Sequence, residues 1–476
     1  METERAIRKA LEKYPLSEQE WAYYALDQQI NDRGVRVDRL LVKQAMRVDQ
    51  AFSEQAFQRA QELTGLENPG SVNQLKTWLA DQNMPMESLA KKLVQEKVKN
   101  AGGIVAELLN LRLELSKTSV KKYEAMARCL CRDGRVHGLL QFYGASRTGR
   151  WAGRLVQAQN LPQNHLPDLN LAREMVKAGD EQLIETLFGS VPNTLSELIR
   201  TAFIPKAGCR FIVADFSAIE ARVLAWLADE EWVLDEFRGK GKIYEATASR
   251  MFHIPQETIV KGHPNYEYRQ KGKQATLSCG YGGGVGALKA MGAKMPEAEM
   301  QPLVDAWRAA NPNIVAFWGA LDRAARTVIR KKTSVRVGKL ILYWQDDKMF
   351  MRLPSGRNLC YQSPHFTVNR FGSDAIGYYA PSASGQMVVQ ETFGGKLAEN
   401  ATQAIARDIL ANALMTLEAH GYPVVFHIHD EAVIEMPIGE GSLEEACQLM
   451  AIAPDWAEGL PLRADGEDDL SFYRKT

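Results

Sequence analysis

The sequence predicts a mixed α+β fold, on three observations. Long stretches of helical periodicity run through 39–128 and 236–340. Phe211 to Ala214 is a short apolar run of strand type that ends on Asp215. Residues 424–435 are apolar on both sides of a polar centre, and they read as two strands meeting in a tight turn around Asp430-Glu431.

In chain order, residues 1–30 are helical and charged, with Trp21, Tyr24 and Leu26 as core candidates. Asn31-Asp-Arg-Gly34 turns into a short strand at Val35–Asp38, and Asp38 then caps a helix. The helical stretch 39–128 is interrupted near Asn68-Pro-Gly70 and Ala101-Gly-Gly103, and 104–131 reads as one long helix with Leu108, Leu111, Leu115 and Tyr123 inward. Asp133-Gly134 opens an alternating strand, Arg135 to Tyr143. Arg147, Arg150 and Arg154 follow with Trp151 among them, a mixture suited to a nucleic-acid backbone. Residues 166–200 read as amphipathic helix broken at Val191-Pro192. After the glycine-punctuated helices of 236–340 come short aromatic strands, Leu340–Trp344 and Lys348–Leu353, with turns at 354–356 and 382–385. Residues 397–420 are a helix, and the acidic tail from Asp465 to Tyr473 is expected to tuck against the strands before it.

Composition narrows the class. The chain has 476 residues, 45% of them apolar and 24% charged, enough for about three domains. It has no run of about 18 apolar residues and no basic-then-apolar leader, so neither a membrane span nor a secretory signal is expected. Cysteines 129, 131, 209, 279, 360 and 447 lack metal-ligand spacing and read as reduced, buried thiols. The formal charge is zero, but it is segregated. Between 91 and 122, Lys91, Lys92, Lys97, Lys99, Arg112, Lys117, Lys121 and Lys122 face only Glu96, Glu107 and Glu114. A solvated helix face is the commoner fate of such a run.

Three stretches carry chemistry. Asp215 stands where a strand stops, and a helix follows, with Ser217 as its expected N-cap and Glu220 on its first turn. A carboxylate at a strand end is a natural ligand for a hard cation, although an ordinary β-to-α turn has the same appearance. His427, His429, Asp430 and Glu431 crowd the predicted hairpin tip, which is expensive unless something binds there. Two carboxylates from such distant strand ends can bridge a pair of divalent ions roughly 4 Å apart, as nucleotidyl transfer requires. Arg269, Lys273, Leu277 and Tyr281 recur every fourth residue and share one helical face before a cluster of glycines. Two cations one turn apart and an aromatic ring further on could grip a triphosphate and lie under a base.

These stretches, in this order, resemble the polymerase domain of DNA polymerase I, family A. Asp215-Phe-Ser-Ala-Ile-Glu-Ala-Arg222 is similar to its first motif, Arg269-x3-Lys273-x7-Tyr281-Gly282 to its second, and His429-Asp430-Glu431 to its third. Thr148-Gly149-Arg150 with Gln159-Asn160-Leu161-Pro162 resembles a fourth element, and the helix from Gln403 resembles the family's template-side glutamine helix. The resemblance runs from about residue 15 to about 440, and the glycine-rich wording is nearest the phage and prophage branch.

The resemblance implies a right-hand architecture with an antiparallel-sheet palm, a helical thumb and helical fingers. The expected divisions are an N-terminal segment packing on the palm (1–38), thumb (39–132), first palm part (133–235), fingers (236–340) and second palm part (341–476), with a β-rich insertion near 341–395. It implies two Mg²⁺ ions, replaceable by Mn²⁺, on Asp215, Asp430 and the Phe216 main-chain carbonyl. The dNTP would meet Arg269, Lys273, Leu277, Tyr281, Glu220 and Tyr244, with Lys273 also catalytic. Primer–template DNA would meet Arg150, Arg154, Gln159, Asn160, Gln403 and His429, while Glu431 and Arg222 support the metal ligands. Tyr244 stands where the family often has His, and Leu277 where it has Phe or Tyr. A monomer acting in a host's cytoplasm, without a membrane partner, is expected. Residues 1–130 show neither the alternating α/β pattern nor the acidic cluster of a proofreading exonuclease, so none is expected from this chain.

Three other readings compete. A metal-dependent hydrolase would use His427-x-His429-Asp430, but the six remaining histidines lack companion spacing. A P-loop NTPase fails because no Gly-Lys is followed by Ser or Thr. An inactive nucleic-acid-binding scaffold would keep the basic surfaces without the carboxylate chemistry.

Overall fold

The computed structural model describes residues 2–12, 16–369, 372–382 and 384–475, with only the main chain of Thr118; residue 383, in the predicted turn at 382–385, lies outside them. The chain begins with α1 (Glu2–Leu11), α2 (Glu18–Arg33), β1 (Val35–Val37) and the long α3 (Arg39–Thr64), capped by Asp38 as expected. Next come α4 (Val72–Asp81), α5 (Lys91–Val98), α6 (Gly103–Leu115) and α7 (Lys121–Cys129). Then follow β2 (Arg135–Val136), β3 (Leu140–Gln141), β4 (Ala152–Gly153), α8 (Leu169–Ala178), α9 (Glu181–Phe188), α10 (Val191–Leu198) and β5 (Phe203–Ile204). The central stretch is β6 (Cys209–Phe216) and α11 (Ile219–Ala228), followed by α12 (Glu231–Arg238), α13 (Ile243–Phe252), α14 (Glu267–Cys279), α15 (Val285–Ala290), α16 (Glu297–Ala310) and α17 (Pro312–Lys331). Six strands follow: β7 (Ser334–Val337), β8 (Leu340–Gln345), β9 (Lys348–Arg352), β10 (Asn358–Val368), β11 (Asp374–Pro381) and β12 (Met387–Thr392). The chain ends with α18 (Gly394–Ala419), β13 (Val424–Ile428), β14 (Glu431–Pro437), α19 (Leu443–Met450) and β15 (Ala464–Leu470).

Two antiparallel sheets dominate. The four-stranded sheet has the order β13-β14-β6-β15, so strands more than two hundred positions apart in sequence lie side by side. The residues of β13, β14 and β6 are largely buried on both faces, whereas the edge strand β15 is open between its buried ends, and α19 packs on β6 and β15. The other sheet is a six-stranded meander, β7 through β12 in order, backed by α17 and α18. One large apolar core joins these layers to α2, the first half of α3 and the α11–α17 helices. Leu75, Leu79, Val94, Leu108 and Leu109 form a second core in the arm made by the end of α3 with α4, α5 and α6.

Several expectations change. Trp21 and Tyr24 are 56% and 39% exposed, because α2 turns Tyr23, Leu26 and Ile30 inward instead. The helix expected over 104–131 is split between α6 and α7: Ser116 turns its hydroxyl back onto the Leu113 carbonyl, 2.8 Å away, and a 3₁₀ turn follows. The strand expected over 135–143 is two two-residue strands in different sheets, since Gly138 and Tyr143 take left-handed backbone. The helix expected over 166–200 is three helices, and Pro192 starts the third rather than breaking it. The β-rich insertion begins at Ser334, inside the stretch read as helical. Of the six free cysteines only Cys279 is buried, and Cys131 and Cys360 are exposed.

Candidate active site

β6 and β14 pair in the register Glu431↔Asp215, and the Phe216 N–H donates to the Asp430 carbonyl at 3.2 Å. This places the two predicted carboxylates next to each other at the mouth of the sheet. The β13–β14 turn is two residues long, and His429 takes left-handed backbone (φ 55°) to make it. Burial, and then the charge of Asp215 beside it, push the Asp430 carboxyl up to about 7. Asp215 Oδ1 is buried and has no hydrogen-bond partner among the described residues. Leaving such an oxygen unsatisfied costs roughly 1–3 kcal/mol until a donor or cation reaches it.

The expected N-cap, Ser217, is not the cap. Its N–H donates to the Arg463 carbonyl and its own carbonyl accepts from Arg222 Nε, which hold it in the turn after β6; Ala218, at φ 50°, becomes the N-cap of α11. Arg222 is buried behind this turn, lies over the Phe237 ring at 4.2 Å, and is pushed down to about 10 by desolvation. The turn aims Glu220 outward. Its two oxygens accept from Arg150 at 3.1 Å and from the Tyr281 hydroxyl at 2.9 Å, and burial followed by the Glu220 charge holds the Tyr281 pKa well above the usual phenol value.

The tail supplies a group the sequence did not expose. β15 pairs with β6, and the Tyr473 N–H donates to the Phe203 carbonyl. Lys475 exchanges two hydrogen bonds with Asn164, at 2.9 and 2.8 Å. Its ammonium reaches Asp215 Oδ2 and Glu431 Oε2, each at 3.0 Å. Burial works against that ammonium, but Glu431 and then Asp215 outweigh it and keep the pKa above the ordinary lysine value. The Tyr473 hydroxyl donates to Glu431 Oε1 at 2.6 Å and accepts from Arg200 at 2.6 Å. No spacing rule marks Lys475 or Arg200; the only signal was the expected docking of the tail. Arg407 was missed as well. It is fully buried, binds both Glu20 oxygens and the Gly149 carbonyl, and is ringed by Tyr23, Phe142, Tyr143 and Trp151.

A cleft of about 460 Å³ opens beside the carboxylates, lined among others by Asp430, Glu220, Arg150, Gln159, Gln403, His429, Tyr244 and Leu277. Leu277 is 49% exposed. Lys273 and Arg269 continue the Leu277 face of α14 toward the helix start, and the Tyr244 ring lies 5.9 and 5.5 Å from their charged groups. Gly272 permits this packing, since a Cβ there would sit 2.2 Å from the Tyr244 carbonyl. Arg269 donates to Glu245 at 2.8 Å, whereas Lys273 has no carboxylate partner among the described residues. Arg154 and Asn160 are not brought to the cleft: both are exposed, and Arg154 is held outside it by Gln141.

The donor set is oxygen-only, which suits Mg²⁺ or Mn²⁺ rather than zinc. Among the described residues no three or more His, Cys, Asp and Glu side chains converge as a metal cage. His427 is buried edge-on to Trp151, and burial followed by the Arg407 charge pushes it down to about 3, so it stays neutral. No helix among the described residues is long and apolar enough to cross a membrane.

A family model described as DNA polymerase family A matches residues 40–351. The DNA polymerase of Bacillus phage SP02 is 50% identical over 482 residues, covering 100% of this chain and 74% of the phage protein. DNA polymerase I of Pseudomonas aeruginosa is 24% identical over 412 residues, covering 82% of this chain but only 36% of the bacterial protein. Among solved structures, the POL domain of Pol1 from M. smegmatis, in complex with DNA primer-template and dNTP, superposes with a TM-score of 0.62 at 18% identity, covering 96% of this chain and 70% of that one. That structure supports the fold, a right-hand polymerase of mixed helix and antiparallel sheet; the family match and the phage relative establish that this chain belongs to DNA polymerase family A.

Proposed function

We propose that this chain catalyses template-directed DNA synthesis, joining a dNTP to a primer 3′-hydroxyl with release of pyrophosphate. The observation that carries the reading is the pairing of Asp215 with Asp430 at one sheet end, with a buried carboxylate oxygen left unpartnered, beside a cleft walled by the face of α14 that carries Lys273 and Arg269. Family A polymerases are in general dependent on divalent metal.

Asp215, Asp430 and the Phe216 carbonyl would hold two Mg²⁺ or Mn²⁺ ions. When bound there, such ions lower the pKa of a primer hydroxyl and offset charge on the phosphates. The chain's own residues do the rest. The 3′-oxygen attacks the α-phosphorus and the bond to pyrophosphate breaks; Lys273 Nζ, unpaired and next to Tyr244, offsets the growing charge and donates a proton to the leaving oxygen. Arg269 exchanges Glu245 for the γ-phosphate. Glu220 holds the Tyr281 hydroxyl and closes off the space a ribose 2′-hydroxyl needs. Arg150, Gln159, Gln403 and His429 face the primer–template, and Lys475 steadies Asp215 and Glu431. In this reading 39–132 grips the duplex as a thumb, 236–340 closes as fingers, and 133–235 with 341–476 forms the palm.

Primer extension with Asp215→Asn and Asp430→Asn is the test. Each should lower the rate by on the order of 10³-fold or more while the variants still bind primer–template. Either variant extending at the parental rate would sink the assignment.

A further inference from the structure

The six-stranded meander has one covered face and one open face. Leu342, Met351 and Leu359 are cross-strand partners, and all three are buried against the helices. The alternate residues point the other way. Tyr343, Phe350 and Cys360 form one open row, and Arg336, Ile341, Arg352 and Asn358 form the next. Lys348 stands opposite Gln345 and Gln362, in line with the exposed Tyr379. The Tyr343 and Phe350 rings stack at 5.3 Å with 19° between their planes.

The open face carries Arg336, Lys348 and Arg352, in a chain whose charges cancel overall at 58 and 58. Arg336, Lys348 and Arg352 form no ion pair among the described residues. Between Ser334 and Val368 the acids in the sequence are Asp346 and Asp347, in the β8–β9 turn. Unpaired cations around a stacked aromatic pair are the groups that hold a phosphodiester backbone while bases lie on the rings.

The sheet is also fixed beside the cleft. Asn400, one turn before Gln403 on α18, donates to the Tyr361 hydroxyl at 3.0 Å, and Arg147, three residues before Arg150, donates to the Cys360 carbonyl. Both contacts are made on the covered side, where Arg147 also lies over the buried Tyr361 and Tyr378 rings, and they hold the sheet beside Gln403 and Arg150. We propose that the open face of the β7–β12 sheet binds the single-stranded template beyond the cleft, with Arg336, Lys348 and Arg352 on its phosphates and the Tyr343–Phe350 pair under its bases. The identity of the strand rests on the polymerase reading; binding of single-stranded DNA does not.

The test uses the full chain and fluorescence anisotropy with three probes: an oligonucleotide of about 16 nucleotides, a primer–template with a 5′ overhang of about that length, and a blunt duplex. The variant Arg336→Gln/Lys348→Gln/Arg352→Gln should weaken the first two by about tenfold or more and leave the blunt duplex unchanged. Its slope of log affinity against log salt should be shallower by roughly 2, since each phosphate contact on a single strand contributes about 0.7. Phe350→Ala, which keeps the charges, should cost about fivefold on the same two probes. Equal weakening on the blunt duplex, or no weakening on any probe by a variant that melts like the parent, overturns the proposal. A parent protein that binds overhangs through this face yet extends no primer would leave the proposal standing and remove the polymerase reading instead.

Discussion

The two sheets solve opposite problems. The β13-β14-β6-β15 sheet draws its strands from positions 209–216, 424–437 and 464–470, buries both faces of β13, β14 and β6, and keeps ionisable groups inside: His427, Glu431 and Glu435 are all buried. The β7–β12 sheet is made of consecutive hairpins, buries one face on α17 and α18, and holds its charges on the surface. In the first, position is everything, because each carboxylate is costly to bury and is tolerated only through named partners such as Lys475 and Tyr473. In the second, the covered face is mainly apolar, with polar anchors such as Asn400 on Tyr361, and the charges of the open face stay in solvent without buried partners.

If that contrast is right, damage should spread differently from the two places. Leu342→Ala in the meander should lower stability by about 2–5 kcal/mol, measured by urea unfolding, while single-nucleotide turnover of the folded fraction is kept. Gly466→Ala should lower both, since its Cβ would lie 1.8 Å from the Val213 carbonyl and push β15 off β6. Equal turnover losses would break the comparison. A smaller effect is expected at the tail. Lys475→Met removes the partly exposed counter-charge of Asp215 and Glu431 and should cost about 1–3 kcal/mol in metal-free protein, with Lys475→Arg recovering most of it. The smallest effect sharpens the contrast by pH. His427 is held neutral, with its folded pKa of about 3 below the unfolded value of 6.5, so its contribution is complete above pH 6.5. As pH falls below that, the unfolded chain takes up the proton first, and the parent should lose about 1.4 kcal/mol per unit relative to His427→Phe. No such divergence is expected for Leu342→Ala.

The legible parts of the fold were the local ones. Asp38 capping α3 and the Arg269–Leu277 face depend on residues within a few positions of each other, as does the β13–β14 turn, which falls at His429-Asp430, one residue before the expected Asp430-Glu431. The errors were local conflicts settled from elsewhere. Ser217 had the right chemistry for a cap, yet Arg463 and Arg222 hold its backbone in the turn after β6. Trp21 and Tyr24 are apolar enough for a core, yet the rotation of α2 is set by its packing against β13 and α18. The cleft takes Arg150 and Gln159 from one motif while Arg154 and Asn160 lie outside it, a placement that leaves their expected contact with primer–template standing.

By itself the sequence determined the mixed helix-and-strand character, the family and the acidic and basic side chains of the site, because side-chain period and short motifs are written in neighbouring residues. Tertiary structure alone decided that Asp215 has one oxygen on Lys475 and the other without a partner among the described residues, that Arg407 anchors Glu20 and the Gly149 carbonyl, and which face of the meander is open. Those outcomes depend on which distant strands pair and in what register, and a one-residue slip would turn every side chain of a strand to the opposite face.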